Sequence, residues 1–546
     1  MMGWGPDNDL GKSFKEISHN DLILVAQREN WKFNYYFAGI VDGSSFFNDD
    51  GFQCLRIKHF VDLRNRNDDF LANVSFANAQ TIKALMVIHD IEVINHLNII
   101  IREKMEKEII KKYCNLLKNS HNLILTGAPG TGKTYLAKQI AQQIIFGEIK
   151  KKMSPDEEKQ FNEQCGFVQF HPSYDYTDFV EGLRPAPPQE DNDTMGFELK
   201  KGVFKEFCER AWRYYNGANQ VVDFNDIYSS FVYDIVNNNI PNEFNTETQK
   251  RPFVVEVNRN GNLNVSPQTT ISNYKPAVKK EFLKEYLENG KVLDWKSYTP
   301  VIGKYLRENY MKENNLKQLD RNAQFVFIID EINRGEISKI FGELFYSIDP
   351  GYRGKDGKVR TQYANMQTTP NDFDKSLAIT DSNNYGHFFV PENVYIIGTM
   401  NDIDRSVESM DFAFRRRFAF KEITAKYSKQ MLDSDDAWGK DKMPKPDFLQ
   451  KVKDKMDAIN KVIFDDDEKV GIEGLSSAYH IGASYFLKLA NYRNENGEYD
   501  ETSFSDLWEN HLEGLLLEYM RGMADVPKKI KKLANAYGYS KMNKYE

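Results

Sequence analysis

"HNLILTGAPGTGKTYLAKQIAQQI", His121 to Ile144, places three elements in a row. Asn122 to Thr126 read as a short buried strand, and from Tyr135 onward apolar residues recur at helical spacing. Between them Gly127-Ala128-Pro129-Gly130-Thr131-Gly132-Lys133-Thr134 fits G-x-x-x-x-G-K-[ST]. Glycines let successive backbone N–H groups turn inward around phosphate oxygens, and the following helix offers its positive end to the same anion. In that reading Lys133 neutralises the β- and γ-phosphates of a nucleoside triphosphate and Thr134 ligates Mg2+. The strand before and the helix after set the motif apart from a chance glycine turn. They imply an α/β fold, a parallel sheet flanked by helices.

Such a loop needs a second strand carrying acid, and "AQFVFIIDEINRGEISKIFGELFYSID" supplies it. Phe325 to Ile329 are continuously apolar, as expected of a parallel strand covered on both faces. Asp330 and Glu331 stand at its C-terminal end, where open α/β sheets bind ligands. Asp330 is expected to hold the metal through water, and Glu331 to orient and deprotonate the attacking water. Acids at a strand end can also simply cap the next helix. A third apolar run, Val394 to Thr399 in "ENVYIIGTMN", ends at Asn401, expected beside the γ-phosphate. Beyond it "DIDRSVESMDFAFRRRF" closes on Arg415, Arg416 and Arg417. Three cations ending a short helix over 404–416 either complement its dipole or are aimed at an anion.

Composition bounds the rest. At 546 residues the chain exceeds a single core and implies about three or four domains. A net charge of −8, with 28% charged and 13% aromatic residues, excludes a disordered or membrane class. No apolar run approaches the about 20 residues that span a bilayer. The opening MMGWGPDNDLGKSF lacks the basic and apolar regions of a signal peptide, so a cytoplasmic protein without membrane attachment is expected. Cys54, Cys114, Cys165 and Cys208 show no metal-ligand spacing and read as reduced structural thiols.

The order of these strands resembles the AAA+ proteins, in which an arginine after the sensor strand reaches the nucleotide of the next subunit. More narrowly, DEINRGEISKIFGELF (Asp330 to Phe345), GTMNDIDRSVESMDFAFRRRF (Gly398 to Phe418) and VQFHPSYDYTDFVEGLRP (Val168 to Pro185) resemble McrB, the motor family of modification-dependent restriction systems. The blocks keep that family's order across most of residues 115–425. The resemblance implies roles in hydrolysis for Asn401, Asp404 and Arg405, and sensor or trans-acting roles among Arg415 to Arg417, with Arg416 and Arg417 the preferred pair. It further implies a homo-oligomeric ring, expected as a hexamer, and GTP as substrate, although most AAA+ relatives use ATP. DNA, with modified cytosine as a candidate, and an McrC-like nuclease subunit are the implied partners. No nuclease constellation occurs in the chain itself. The competing reading is a MoxR-like AAA+ ATPase that remodels protein substrates.

Five segments are expected. Residues 1–110 read as a β-rich domain, with "NDLILVAQRENWKFNYYFAGIVDGSS" as two strands and "QCLRIKHFVDL" as another, before a helix at Ile91 to Leu117. The first 100 residues carry nine Lys/Arg against thirteen Asp/Glu, a net of −4, unlike a backbone-driven DNA binder. Trp4, Trp31, Tyr35, Tyr36 and Phe37 either line a base pocket or form barrel core. Residues 111–215 and 320–420 make the two parts of the motor core. Between Thr134 and Asp330 the chain is far longer than one helix and one strand require. The excess, 216–319, reads as an inserted α+β module around a hairpin whose turn is Asn260-Gly261, either decoration or a contact for DNA or partner. Residues 421–546 read as a helical lid, in which His480 is either a packed residue or a nucleotide contact.

Overall fold

The computed structural model describes residues 3–4, 17, 21–29, 32–43, 46–47, 53–54, 56–63, 91–186, 196–216, 224–237, 239–246, 250–258, 261–267, 276–310, 320–403, 412–539 and 541. The chain forms two units, one of residues 1–152 and 419–546, the other of 153–418.

In the first unit β1 (Leu22–Glu29) and β2 (Lys32–Val41) pair antiparallel, and β3 (Ile57–Asp62) joins the other edge of β2. One face of this sheet places Ala38 and Val61 against Val93, Leu97, Ile100 and Ile101 of α1 (Ile91–Ser120). Alternation along a strand turns Phe37 and Phe60 to the other face, where their rings lie 5.0 Å apart and Phe60 is 46% exposed. Of the five aromatic residues singled out above, Phe37 alone has a described side chain; Trp31 and the side chains of Trp4, Tyr35 and Tyr36 lie outside the described residues. The helix α1 carries the chain directly into β4 (Asn122–Thr126), whose first four residues are buried, and the glycine loop leads on to α2 (Lys133–Phe146).

The second unit opens its parallel sheet with β5 (Cys165–Gln169), followed by the hairpin of β6 (Glu181–Ala186) and β7 (Gly196–Lys201) and by α3 (Val203–Tyr215). Lys205 of α3 and Glu181 of β6 form an ion pair with each side chain 1% exposed, and Gln367 Nε2 donates to the same carboxylate at 3.0 Å. Removing one partner strands a buried charge, so Lys205→Ala should cost about 3–5 kcal/mol of stability in thermal or urea unfolding. A cost within 1 kcal/mol would show that water reaches Glu181.

The excess between the motifs folds on its own core. Helices α4 (Phe224–Val236), α5 (Lys280–Asn289) and α6 (Thr299–Asn309) pack Phe231, Leu283 and Ile302 against Phe253, Val255 and Val265 of β8 (Pro252–Val257) and β9 (Leu263–Pro267). The hairpin forms, but its connection is wider than a two-residue turn. The Asn258 N–H donates to Asn262 O at 2.9 Å, and Gly261, at φ +72°, returns its N–H to Asn258 O at 3.0 Å. Asn260, the other residue of the expected turn, lies outside the described residues.

Two buried strands complete the unit's parallel sheet. The strand β10 (Phe325–Asp330) lies between β5 and β11 (Val394–Thr399), with Val326 opposite Cys165 and Tyr395. All of β11 and all but the last residue of β10 are buried, which accounts for their unbroken apolar runs. Back in the first unit, β12 (Ala419–Glu422) pairs parallel with β4, Ala419 opposite Leu123. The helical segment after it includes α7 (Pro446–Ile463) and α8 (Val526–Tyr537). Strands buried between helices and paired parallel make an α/β core. Among the described residues no helix is long and apolar enough to cross a membrane.

Candidate functional site

The glycine loop leaves β4 with three glycines at positive φ, Gly127 at +141°, Gly130 at +78° and Gly132 at +82°. Gly132 is the N-cap of α2, left-handed and without a side-chain cap. A Cβ there would also meet Met431 Sδ at 2.7 Å. Lys133 is 7% exposed and folds back over the loop, its Nζ donating to Gly127 O at 3.1 Å and Ala128 O at 2.9 Å. The Thr131 hydroxyl donates to Ala128 O at 3.0 Å, and Thr134 lies half-buried in the first turn. Two backbone amides from the 421–546 segment reach the same loop: Gly482 N–H donates to Pro129 O and Ser484 N–H to Gly130 O, each at 3.0 Å.

In the second unit the acids stand at the end of β10. Glu331 has φ +51° and ψ 45°, a left-handed conformation that a residue with a side chain adopts at a cost of about 1–3 kcal/mol. Its side chain is 18% exposed and is gripped on both oxygens. Asn401 Nδ2 donates to Oε1 at 2.7 Å, and Arg334 Nε lies 3.3 Å from Oε2. The Thr399 hydroxyl donates to Asp330 Oδ1 at 2.6 Å and accepts from the Glu331 amide at 3.3 Å. Thr399 therefore ties both acids to the tip of β11. Sequence reasoning singled out neither Thr399 nor Arg334, although both lie inside the blocks quoted above.

The three arginines diverge. Phe414 anchors the short helix Phe412–Arg415 by packing against Phe341, Phe345 and Phe418 with ring centroids 5.3, 5.6 and 4.4 Å away. Arg417 turns inward: its side chain is 9% exposed, its Nε is 3.4 Å from Asp349 Oδ2, and its guanidinium lies 5.8 Å from the Phe345 ring centroid. Arg415 and Arg416 are exposed. Asp404 and Arg405 lie outside the described residues.

The remaining candidates are structural. His480 is 6% exposed, and its Nε2 meets Phe464 O at 2.8 Å. Burial pushes the Cys114 thiol up to about 12 and raises that of Cys208 as well, which keeps both protonated and unreactive.

With this geometry in place, the chain can be set against known proteins. The AAA domain family, dynein-related subfamily, matches residues 297–418, from α6 through the acids and β11 to the arginines. The type IV methyl-directed restriction enzyme EcoKMcrB subunit of Escherichia coli K12 is 25% identical over 370 residues, 67% of this chain and 47% of that protein. The type II restriction enzyme BsuMI component YdiS of Bacillus subtilis 168 is 23% identical over 333 residues, 60% of this chain and 64% of that protein. Neuron navigator 3 of Mus musculus is similar over 46 residues, 2% of its length. This chain thus spans about half of the first restriction protein and under two thirds of the second.

Proposed function

We propose, for a chain that is McrB-like and built on an AAA+ core, that it is the nucleoside triphosphatase motor of a restriction or defence system. The observation that carries this reading is Glu331, held in a strained backbone with Asn401 on one carboxylate oxygen. A carboxylate fixed in this way at the end of a buried parallel strand suits a base that orients and deprotonates water, with Asn401 sharing the alignment. Lys133 meets the triphosphate charge, and the loop amides of 127–134 cradle it. The Thr134 hydroxyl and the Asp330 carboxylate, whose Oδ1 is already oriented by Thr399, are hard oxygen donors of the kind Mg2+ takes, with phosphate and water oxygens supplying the rest. The metal supplies charge neutralisation on the β- and γ-phosphates. GTP is the proposed substrate by relation to McrB, with ATP as the alternative.

The motor is proposed to act as a homo-oligomeric ring, a hexamer, in which exposed Arg416 serves the neighbouring copy while Arg417 holds the helix that carries it. Residues 1–110 are proposed to read DNA bearing methylated cytosine, and an McrC-like nuclease to cut it. The full chain with Mg2+ should hydrolyse GTP or ATP faster with methylated than with unmethylated DNA of one sequence. That preference should persist at moderate salt, because the first 100 residues, at −4, gain little from counterion release. Hydrolysis indifferent to every DNA but stimulated by an unfolded protein substrate would overturn the restriction reading in favour of remodelling.

A further inference from the structure

Residues 480–485 run as a strap between α7 and the glycine loop, stapled on both sides. On the α7 side Asn460, 8% exposed, reads one residue of the strap twice: its Nδ2 donates to Ile481 O at 3.0 Å, and its Oδ1 accepts from Ile481 N–H at 2.7 Å. The fully buried Ser428 hydroxyl accepts from Ala483 N–H at 3.0 Å. On the loop side the intervening amides of Gly482 and Ser484 donate to Pro129 O and Gly130 O. The approach is close enough to require glycine, since a Cβ on Gly482 would lie 2.2 Å from the Gly130 carbonyl carbon and 2.4 Å from the Thr131 nitrogen.

A trans peptide points its C=O and the next N–H in opposite directions. Pinning the oxygens of Pro129 and Gly130 to the strap therefore fixes the N–H groups of Gly130 and Thr131 toward the opposite side of the loop, the orientation a bound phosphate needs. We infer that Asn460 is a positioning residue for triphosphate binding: it holds the strap whose amides set two peptide planes of the phosphate cradle. The inference rests on the cradle reading of residues 127–134. Besides its two amides, the strap lays the Ser484 and Tyr485 side chains against Gly130, where a Cβ would meet Ser484 Oγ at 2.6 Å and Tyr485 Cδ2 at 2.7 Å. Loosening it leaves Glu331 and Asn401 as they are, so the effect falls on ground-state grip rather than on the chemical step.

The experiment uses the full chain and fluorescently labelled GDP and ADP as probes, with amide hydrogen exchange over 127–134 as a second readout. Asn460→Ala should weaken binding of the diphosphate that the wild type takes by about tenfold, the scale of a lost hydrogen bond or two. It should speed exchange across the loop and leave kcat at saturating nucleotide within about twofold. Asn460→Asp keeps the acceptor for Ile481 N–H and loses the donor to Ile481 O, so it should fall between the two. Unchanged affinity and exchange in folded Asn460→Ala, or a lower kcat at unchanged affinity, overturns the inference. If Asn460→Ala does not fold, Ser428→Ala decides, because it frees the strap at Ala483 alone: faster loop exchange with weaker binding supports the inference, and wild-type values overturn it. Lys133→Ala separates the two levels. Binding lost there but intact in Asn460→Ala overturns the inference alone, whereas binding retained in Lys133→Ala overturns the cradle reading itself.

Discussion

Lys133→Ala is expected to abolish nucleotide binding, whereas Glu331→Gln should bind as the wild type does and hydrolyse ~10³-fold more slowly. The two residues act at different moments. The Lys133 ammonium meets charge that the triphosphate carries in the ground state, so its loss removes binding itself. The Glu331 carboxylate matters when water attacks and gives up a proton, and an amide of the same shape cannot take that proton. Glu331→Gln also keeps a side-chain oxygen for the Asn401 amide, which contacts the carboxylate at 2.7 Å, so the geometry of the loop changes little. Equilibrium binding of a labelled nucleotide together with phosphate release checks both halves. Equal loss of binding in both variants would remove Glu331 from its role.

The parts of this site that were legible in the sequence share one cause. β4, β10 and β11 are buried on both faces, so their apolar runs are unbroken, and the residues that follow each run fall at strand ends where ligands bind. That pattern placed Asp330, Glu331 and Asn401 at strand ends, and with the G-x-x-x-x-G-K-[ST] spacing it placed Gly127 to Thr134. Thr399 could not, because a threonine ending a buried strand looks like any other β-branched residue until its hydroxyl is found on Asp330. The strain at Glu331 was equally hidden, since nothing in Asp-Glu-Ile announces a left-handed backbone at a residue with a Cβ. The strap of 480–485 was read through His480, the residue with chemistry, while its hydrogen bonds to Pro129 and Gly130 run through main-chain amides that every sequence has. The long connection to Asp330 was legible as an insertion because a P-loop core has no use for such length, and its separate core follows from helices and strands that bury their own apolar faces.

Arg415, Arg416 and Arg417 mark the limit of such reading, because three identical neighbours differ only in what the fold puts beside them. Arg417 has Asp349 and the Phe345 ring, and it fixes the short helix to the unit that carries it. Arg416 is exposed immediately after that anchored helix, where a guanidinium is open to a second copy of the chain. Arg416→Ala is therefore expected to bind nucleotide normally and to hydrolyse it ~10³-fold more slowly or worse. Mixed with Lys133→Ala protein it should regain activity, since each variant supplies the part the other lacks, and wild-type rates should rise with protein concentration as copies assemble. Arg417→Ala should differ in kind. It removes the partner of Asp349, so its melting temperature should fall, and any hydrolytic defect should follow from misplacing the adjacent Arg416. Mixing experiments at equal total protein, with melting curves on each variant, separate the three outcomes. An Arg416→Ala defect that no partner variant rescues would place that arginine in cis, and a rescued defect in a fully stable Arg417→Ala would transfer the trans role to Arg417.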